Sequence, residues 1–520
     1  MKPKPPITTI RAKQAIAKPA PKRRVKPKAS IEAMPKAPSL HIAMAAPEIA
    51  PFAKTGGLGD VMGSLPQALE RLGVKVTLIM PAYRSVLHGG FELEDTGIRL
   101  AIPVSARREE VTLLKSKVGS AIPVYFIKSD RYFDREYLYS TPDGDYLDNA
   151  ERFVLFSRAV LEVLKLDPPS ILHAHDWQSA LSVVFLKAQP HLYPELSSAK
   201  TAFTVHNLGF QGLFWHLDWH LLNLDWSLFT PAQLEFYSRI SFLKGSLVFS
   251  DIITTVSPTY AEEIKTVEQG FGLHGIFRER APNLAGILNG ADYDVWNPET
   301  DRFIVKKYGP EKLTGKKSCK AELQRIFKIP ENPDIPLIGM VSRLTPQKGF
   351  DLLEKAMEQL LSRDLQFVLL GTGDKQYQES FSKVSKKFPD RAGVRIDFDE
   401  ALSHKIIAGS DMLLLPSRYE PSGLTQIYSL KYGTVPVVRA TGGLKDTIEE
   451  FDPKTGKGNG FVFVPYEIQP LLDAVDRALA TFRQGKAWAT LMQNGMAADF
   501  SWDRSAQTYL ELYKKLIART

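Results

Sequence analysis

The stretch LHIAMAAPEIAPFAKTGGLGDVMGSLPQALERLG, residues 40–73, sets the reading of the whole chain. Its first part is an apolar run of strand character, and its last part carries apolar residues at helical spacing. Between them lies a turn built on Gly56 and Gly57, with a lone Lys54 beside it. Strand, glycine turn and helix in that order make the first unit of an α/β sheet. Glycines in such a turn admit close approach of a ligand, and the amides that open a helix attract anions. A tight turn with a solvated lysine accounts for the same residues, and the spacing matches neither the dinucleotide fingerprint nor the P-loop.

The unit recurs along the chain. VKVTLIMP, AIPVYFI, SILHAH, TAFTVHN, DIITTVS and AGILNG read as further strands, most of them ending in Gly, Pro, Asn or His before a helical pattern. The alternation pauses over the turn-rich stretch of residues 291–320, then restarts with IPLIGMVSRL, LQFVLLGTG, GVRIDF, DMLLLPS and TVPVVRAT. A chain of 520 residues suits two cores, since single cores stop growing near roughly 250–300 residues. The expectation is α/β: two doubly wound parallel sheets facing a cleft, over residues 39–295 and 296–498, with a hinge near 290–310.

The net charge of +8 is misleading. Residues 1–38 hold eleven Lys and Arg against Glu32 and carry eight prolines, which leaves 55 basic and 57 acidic side chains for the rest. A near-neutral body gives no support for a nucleic-acid groove. The tail lacks the apolar content to offset ordering and is expected to be disordered. A solvated extension, a polyanion tether or an acid-poor organelle transit peptide all fit its composition. The single Cys319 excludes an internal disulfide and suggests a reducing compartment. No apolar window is long enough for a membrane span, so a cytoplasmic protein is expected, with a plastid as the alternative.

Several strand ends carry chemistry-bearing residues. ILHAHDWQSA crowds His173, His175, Asp176 and Trp177 at one of them; no third ligand of fitting spacing supports a metal, and no cofactor is expected. FTVHNLGFQG puts His206 and Asn207 at the next, where side chains meet a ligand more readily than inside a strand. VSRLTPQKG sends Arg343 and Lys348 out together, a pair suited to a departing diphosphate. LLLPSRYEPSGLTQIYSLKYG places Glu420 in a loop before Ser422, Gly423, Leu424 and Thr425 open a helix able to receive phosphate. A nucleotide sugar is the substrate class these features suggest.

With those residues assembled, the chain from about residue 40 onward resembles the bacterial-type glycogen and starch synthases, retaining glycosyltransferases of the two-Rossmann (GT-B) fold. KTGGLGDV, HAHDW, FTVHNL, ISFLKG, TTVSPTY, LNGAD, VSRLTPQKG, SRYEPSGLTQIYSLKYG, TGGL and DFSW occur in that order. The resemblance implies glucose transfer from ADP-glucose, with UDP-glucose as the other donor to test, to the nonreducing 4-hydroxyl of an α-1,4-glucan. It implies that Lys54, Gly56 and Gly57 approach the donor, that Arg343 and Lys348 neutralise the leaving diphosphate, and that Ser422, Gly423, Leu424 and Thr425 add donor contacts. Glu420 would hold glucose hydroxyls opposite His206, with Asn289 near the domain junction. Asp176 and Asn207 would lie on the acceptor side, with Trp177 and Tyr139 stacking on sugar rings. The final helix, over 499–520, would cross back to the first domain behind the cap signal SWDR.

Three departures stand out: Ser422 where the family often has Cys, Tyr428 where the wider superfamily has a second Glu, and Gln178 where bacterial members have His. A sucrose- or trehalose-type synthase would be expected to keep that second Glu. A glucan-binding regulator without catalysis would be favoured by loss of Lys54, His206, Arg343, Lys348 or Glu420, and all five are present.

Overall fold

The structure is a computed structural model and describes residues 40–141 and 143–519. The tail expected over residues 1–38 lies outside the described residues. Two sheets organise the rest. The first runs, edge to edge, Leu284–Gly286, Ile252–Thr255, Lys200–Val205, Ile171–His175, His41–Ala45, Lys75–Pro81, Ile122–Lys128, Arg107–Val118 and Glu94–Val104. Its first seven strands are parallel. The last two form an antiparallel hairpin that extends the edge. The strand pattern in the sequence predicts a purely parallel sheet; the hairpin escapes that pattern because one face of each strand is solvated and charged, as in RREEVTLLKSKV, so no continuous apolar run marks it.

The second sheet is parallel throughout, in the spatial order Ala392–Arg395, Gln366–Leu370, Leu337–Val341, Met412–Leu415, Val435–Arg439 and Phe461–Phe463. Numbered along the chain this is 3-2-1-4-5-6, the Rossmann order, whose direction of winding reverses between strands 1 and 4. The first sheet reverses in the same way between His41–Ala45 and Ile171–His175. Ligands in such sheets bind at the carboxyl ends of the strands flanking the reversal.

Helix Gly57–Arg71 shows how the sequence builds these layers. Leu58, Val61, Met62, Leu65, Ala68 and Leu69 are buried at helical spacing, and burying each large side chain stabilises by about 1.5–3 kcal/mol. Gly73, at φ +82, ends it: the Gly73 N–H donates to Glu70 O and the Val74 N–H to Leu69 O, a left-handed stop that glycine adopts without strain.

The last helix, Trp502–Ile517, packs into the core of the first sheet through Trp502, Ala506, Tyr509, Leu510, Tyr513 and Leu516. Ser501 stands at its N-cap position, but the hydroxyl makes no capping bond; instead the Ser501 N–H donates to Asp499 Oδ1 at 2.9 Å. No described helix is long and apolar enough to cross a membrane.

Candidate active site

The loops that follow the four strands at the two reversals carry most of the residues singled out from sequence. Loops of the two sheets approach each other closely across the cleft. A Cβ built on Gly57 would lie 3.6 Å from Leu424 Cδ1, and one on Gly209 would lie 2.7 Å from the Tyr419 hydroxyl. The Tyr419 ring also packs edge-on against Phe271 at 5.3 Å. Apart from its chain neighbours, no described residue lies within 4 Å of the position a Cβ on Gly56 would take.

In the Lys54 loop the organiser is Glu48, a residue the sequence reading passed over. Its carboxylate, 4% exposed, accepts from the Thr55 N–H at 2.6 Å, the Thr55 hydroxyl at 2.7 Å, the Gly56 N–H at 3.3 Å and the Tyr139 hydroxyl at 2.8 Å. The amides of Thr55 and Gly56, just ahead of the helix, are therefore held by a carboxylate. Lys54 is exposed and pairs with Asp60 at 2.6 Å. Tyr139 packs edge-on against Tyr83 and donates to Glu48, so its hydroxyl serves the loop.

Behind this loop three histidines form two chains. His173 is fully buried and bridges the Tyr513 hydroxyl, at 2.7 Å from Nδ1, to Thr204 Oγ1, at 2.6 Å from Nε2. That is a structural histidine. His175 Nδ1 meets His206 Nε2 at 3.0 Å, which fixes the His206 ring at the strand end. Burial pushes His173 and His206 down to about 3, so both are neutral at pH 7.

Asp176 opens the next helix at φ +57 and accepts from the His206 N–H at 2.8 Å. Burial pushes its carboxyl up to about 7, against its bonds from the His206 and Asn207 amides; the Glu48 charge adds to the rise. Trp177 sits in an aromatic cluster with Phe153 at 4.9 Å and Phe214 at 5.6 Å, and only 9% of it is exposed. Its ring lies in the core rather than open in the cleft.

On the second sheet Lys348 Nζ donates to Glu420 Oε2 at 2.5 Å, and the Ser417 hydroxyl donates to the same oxygen at 3.0 Å. Glu420 is 5% exposed, so this cation is what makes its burial affordable. Arg343 is exposed and makes no ion pair among the described residues. Gln426 Nε2 donates to Ser422 O and Gly423 O at 3.1 and 2.9 Å, which holds the turn at Gly423, φ +68, ahead of Leu424 and helix Thr425–Lys431.

Asn289 is buried, and its Oδ1 has no hydrogen-bond partner among the described residues. Tyr428 stacks flat on Trp296 at 4.2 Å, and His404 stacks on the same indole at 3.7 Å. An acidic residue at 428 would place a carboxylate in this aromatic stack.

Residues 41–279 match the family described as starch synthase catalytic domain, and residues 322–488 match glycosyl transferases group 1. The chain is 50% identical over 478 residues to a glycogen synthase of Koribacter versatilis, covering 92% of this chain and 98% of that one. It is 45% identical over 488 residues to a glycogen synthase of Pseudothermotoga lettingae, covering 92% and 99%. Among solved structures it superposes on the catalytic domain of starch synthase IV from Arabidopsis thaliana bound to ADP and acarbose. There the TM-score is 0.85 at 34% identity, covering 92% of this chain and all of that one. A sucrose-phosphate synthase from Thermosynechococcus elongatus shares the fold, with a TM-score of 0.58 at 18% identity. Agreement at this level across nine-tenths of the sequence, in both halves and in the order of the strand-end motifs, leaves one conclusion: the chain belongs to the glycogen and starch synthase family.

Proposed function

We propose that the protein transfers glucose from ADP-glucose to the nonreducing 4-hydroxyl of an α-1,4-glucan, with retention at the anomeric carbon. The observation that carries this reading is the Lys348–Glu420 pair at the reversal of the second sheet, with exposed Arg343 on the same loop as Lys348. A hydroxyl-binding carboxylate beside two cations suits a sugar whose leaving group is a diphosphate. The ADP bound by the starch synthase relative is the product such a transfer would leave, and its acarbose is a saccharide.

In this reading Arg343 and Lys348 take up charge as the diphosphate departs, and Glu420 accepts from glucose hydroxyls. Lys54 approaches the donor from the opposite loop, released from Asp60. His206, neutral and held by His175, offers Nδ1 to the sugar. Asp176 and Asn207 face the acceptor, whose hydroxyl gives its proton to the leaving phosphate on the same face. No carboxylate assigned here acts as a nucleophile.

Incubation of the purified chain with short malto-oligosaccharide and either ADP-glucose or UDP-glucose tests this. Elongation with ADP-glucose at the higher kcat/KM is expected; no elongation with either donor would sink the proposal.

A further inference from the structure

We propose that Glu263 and Asp446 are positioning residues, two carboxylates reaching in opposite directions across the cleft, which seat the loop bearing Glu420 only while the two halves are docked. The proposal rests on the donor-side role given to Glu420.

Helix Pro258–Glu263 follows a strand of the first sheet, and helix Gly442–Thr447 follows a strand of the second. Asp446 Oδ2 accepts from the Ser257 hydroxyl at 2.5 Å and the Thr259 N–H at 3.1 Å, while Oδ1 accepts from the Thr259 hydroxyl at 2.6 Å. In return, Glu263 Oε1 accepts from the Thr441 hydroxyl and the Gly442 N–H, both at 3.0 Å. Each carboxylate lies in the last turn of its own helix, where the helix dipole disfavours negative charge. Each bonds the first turn of the other helix, where unpaired amides favour it. The two acids are badly placed for their own helices and well placed for the contact between them.

The contact continues to the donor side. Beyond Thr441, the Gly443 N–H donates to Glu420 O at 3.1 Å. A Cβ on Gly442 would fall 1.9 Å from Glu420 O, and one on Gly443 would fall 1.9 Å from Ser422 O, so this turn lies flat against the backbone of residues 420–422. Glu263 therefore holds, through Thr441 and Gly442, the turn on which Glu420 rests. Undocking the halves would remove Glu263 from Thr441 and Gly442, while the Gly443 N–H, Lys348 and Ser417, all in the second half, keep their bonds to Glu420.

The test uses the full chain with Glu263→Ala, Glu263→Gln, Asp446→Ala, Thr259→Val and the Thr259→Val/Asp446→Ala double variant. Either alanine variant is expected to lower kcat/KM for the sugar nucleotide by about 10–100-fold, the scale of hydrogen bonds to a charged group, while glucan KM stays within about twofold. Glu263→Gln, which keeps an acceptor oxygen, should recover part of the loss. The double variant should be no worse than Asp446→Ala alone, because both remove the same contact. Small-angle scattering without substrate should show a larger radius of gyration for the alanine variants.

Wild-type donor kcat/KM in the alanine variants, multiplicative losses in the double variant, or unchanged scattering would each overturn the proposal. So would equal losses for donor and glucan with a lowered Tm, the mark of a purely structural role. If the wild-type chain elongates nothing with either donor, the glucan-synthase reading fails, and the scattering arm still decides the clasp.

Discussion

At the scale of single residues, Lys54 and Asp176 separate binding from stability. Lys54 and Asp60 are both partly exposed, and pairs of that kind contribute about 0–1 kcal/mol. Lys54→Gln should therefore leave Tm nearly unchanged while raising the sugar-nucleotide KM by about 10–100-fold at constant kcat. Equal falls in kcat and kcat/KM would instead assign Lys54 to the chemical step. Asp176 makes a different prediction. Its folded value, about 7, lies above the ordinary 3.8, so the native state holds this proton more tightly than the unfolded chain. The contribution is complete below about pH 4 and is lost as pH rises through 7. Asp176→Asn should thus gain Tm relative to wild type on going from pH 5 to pH 8, and thermal melts across that range read it directly. A difference that does not change with pH would contradict the buried acid.

At the scale of elements, the turn at Gly442 is the sharpest test of how the second sheet builds its site. Gly442 sits at φ +44 with Glu420 O where a Cβ would be, so both backbone conformation and space exclude a side chain. Gly442→Ala should lower Tm and cut turnover by more than tenfold, since the displaced partner is backbone and cannot rotate away. Wild-type melting and kinetics in that variant would show that the turn yields freely. The same elements explain what the sequence discloses. Strands buried on both faces tend to appear as continuous apolar runs, and of the thirteen parallel strands among the described residues only Phe461–Phe463 escapes the sequence pattern. The strand-end positions of Lys54, Arg343, Lys348 and Glu420 are legible because Gly and Pro punctuate the loops that carry them. Glu48 is not, because its role depends on Tyr139, 91 residues away, arriving beside it. The Glu263–Asp446 clasp is hidden for the same reason: two acids at helix ends look like solvated charge until the halves meet.

At the scale of the whole molecule, the final helix ties the end of the chain to its beginning. Arg71 pairs with Asp503, Ser505 donates to Leu288 O, and Tyr513 meets His173. Tyr513→Phe should cost about 1–3 kcal/mol, because it leaves a fully buried His173 nitrogen without a partner, and denaturant melts would measure it. A variant as stable as wild type would show that His173 is satisfied without the hydroxyl.

The placement of that helix also bears on synthesis at the ribosome. The strands of the first sheet are complete once Leu284–Gly286 has emerged, yet six buried apolar residues of their core lie within 502–516. At about 5–20 residues per second, the nascent first half waits on the order of ten seconds or more with that surface uncovered. Vectorial folding from the N-terminus cannot finish the first domain before the second has been made. The growing chain therefore presents a chaperone-accessible apolar face for much of its translation, and the last helix acts as the final closure of the fold.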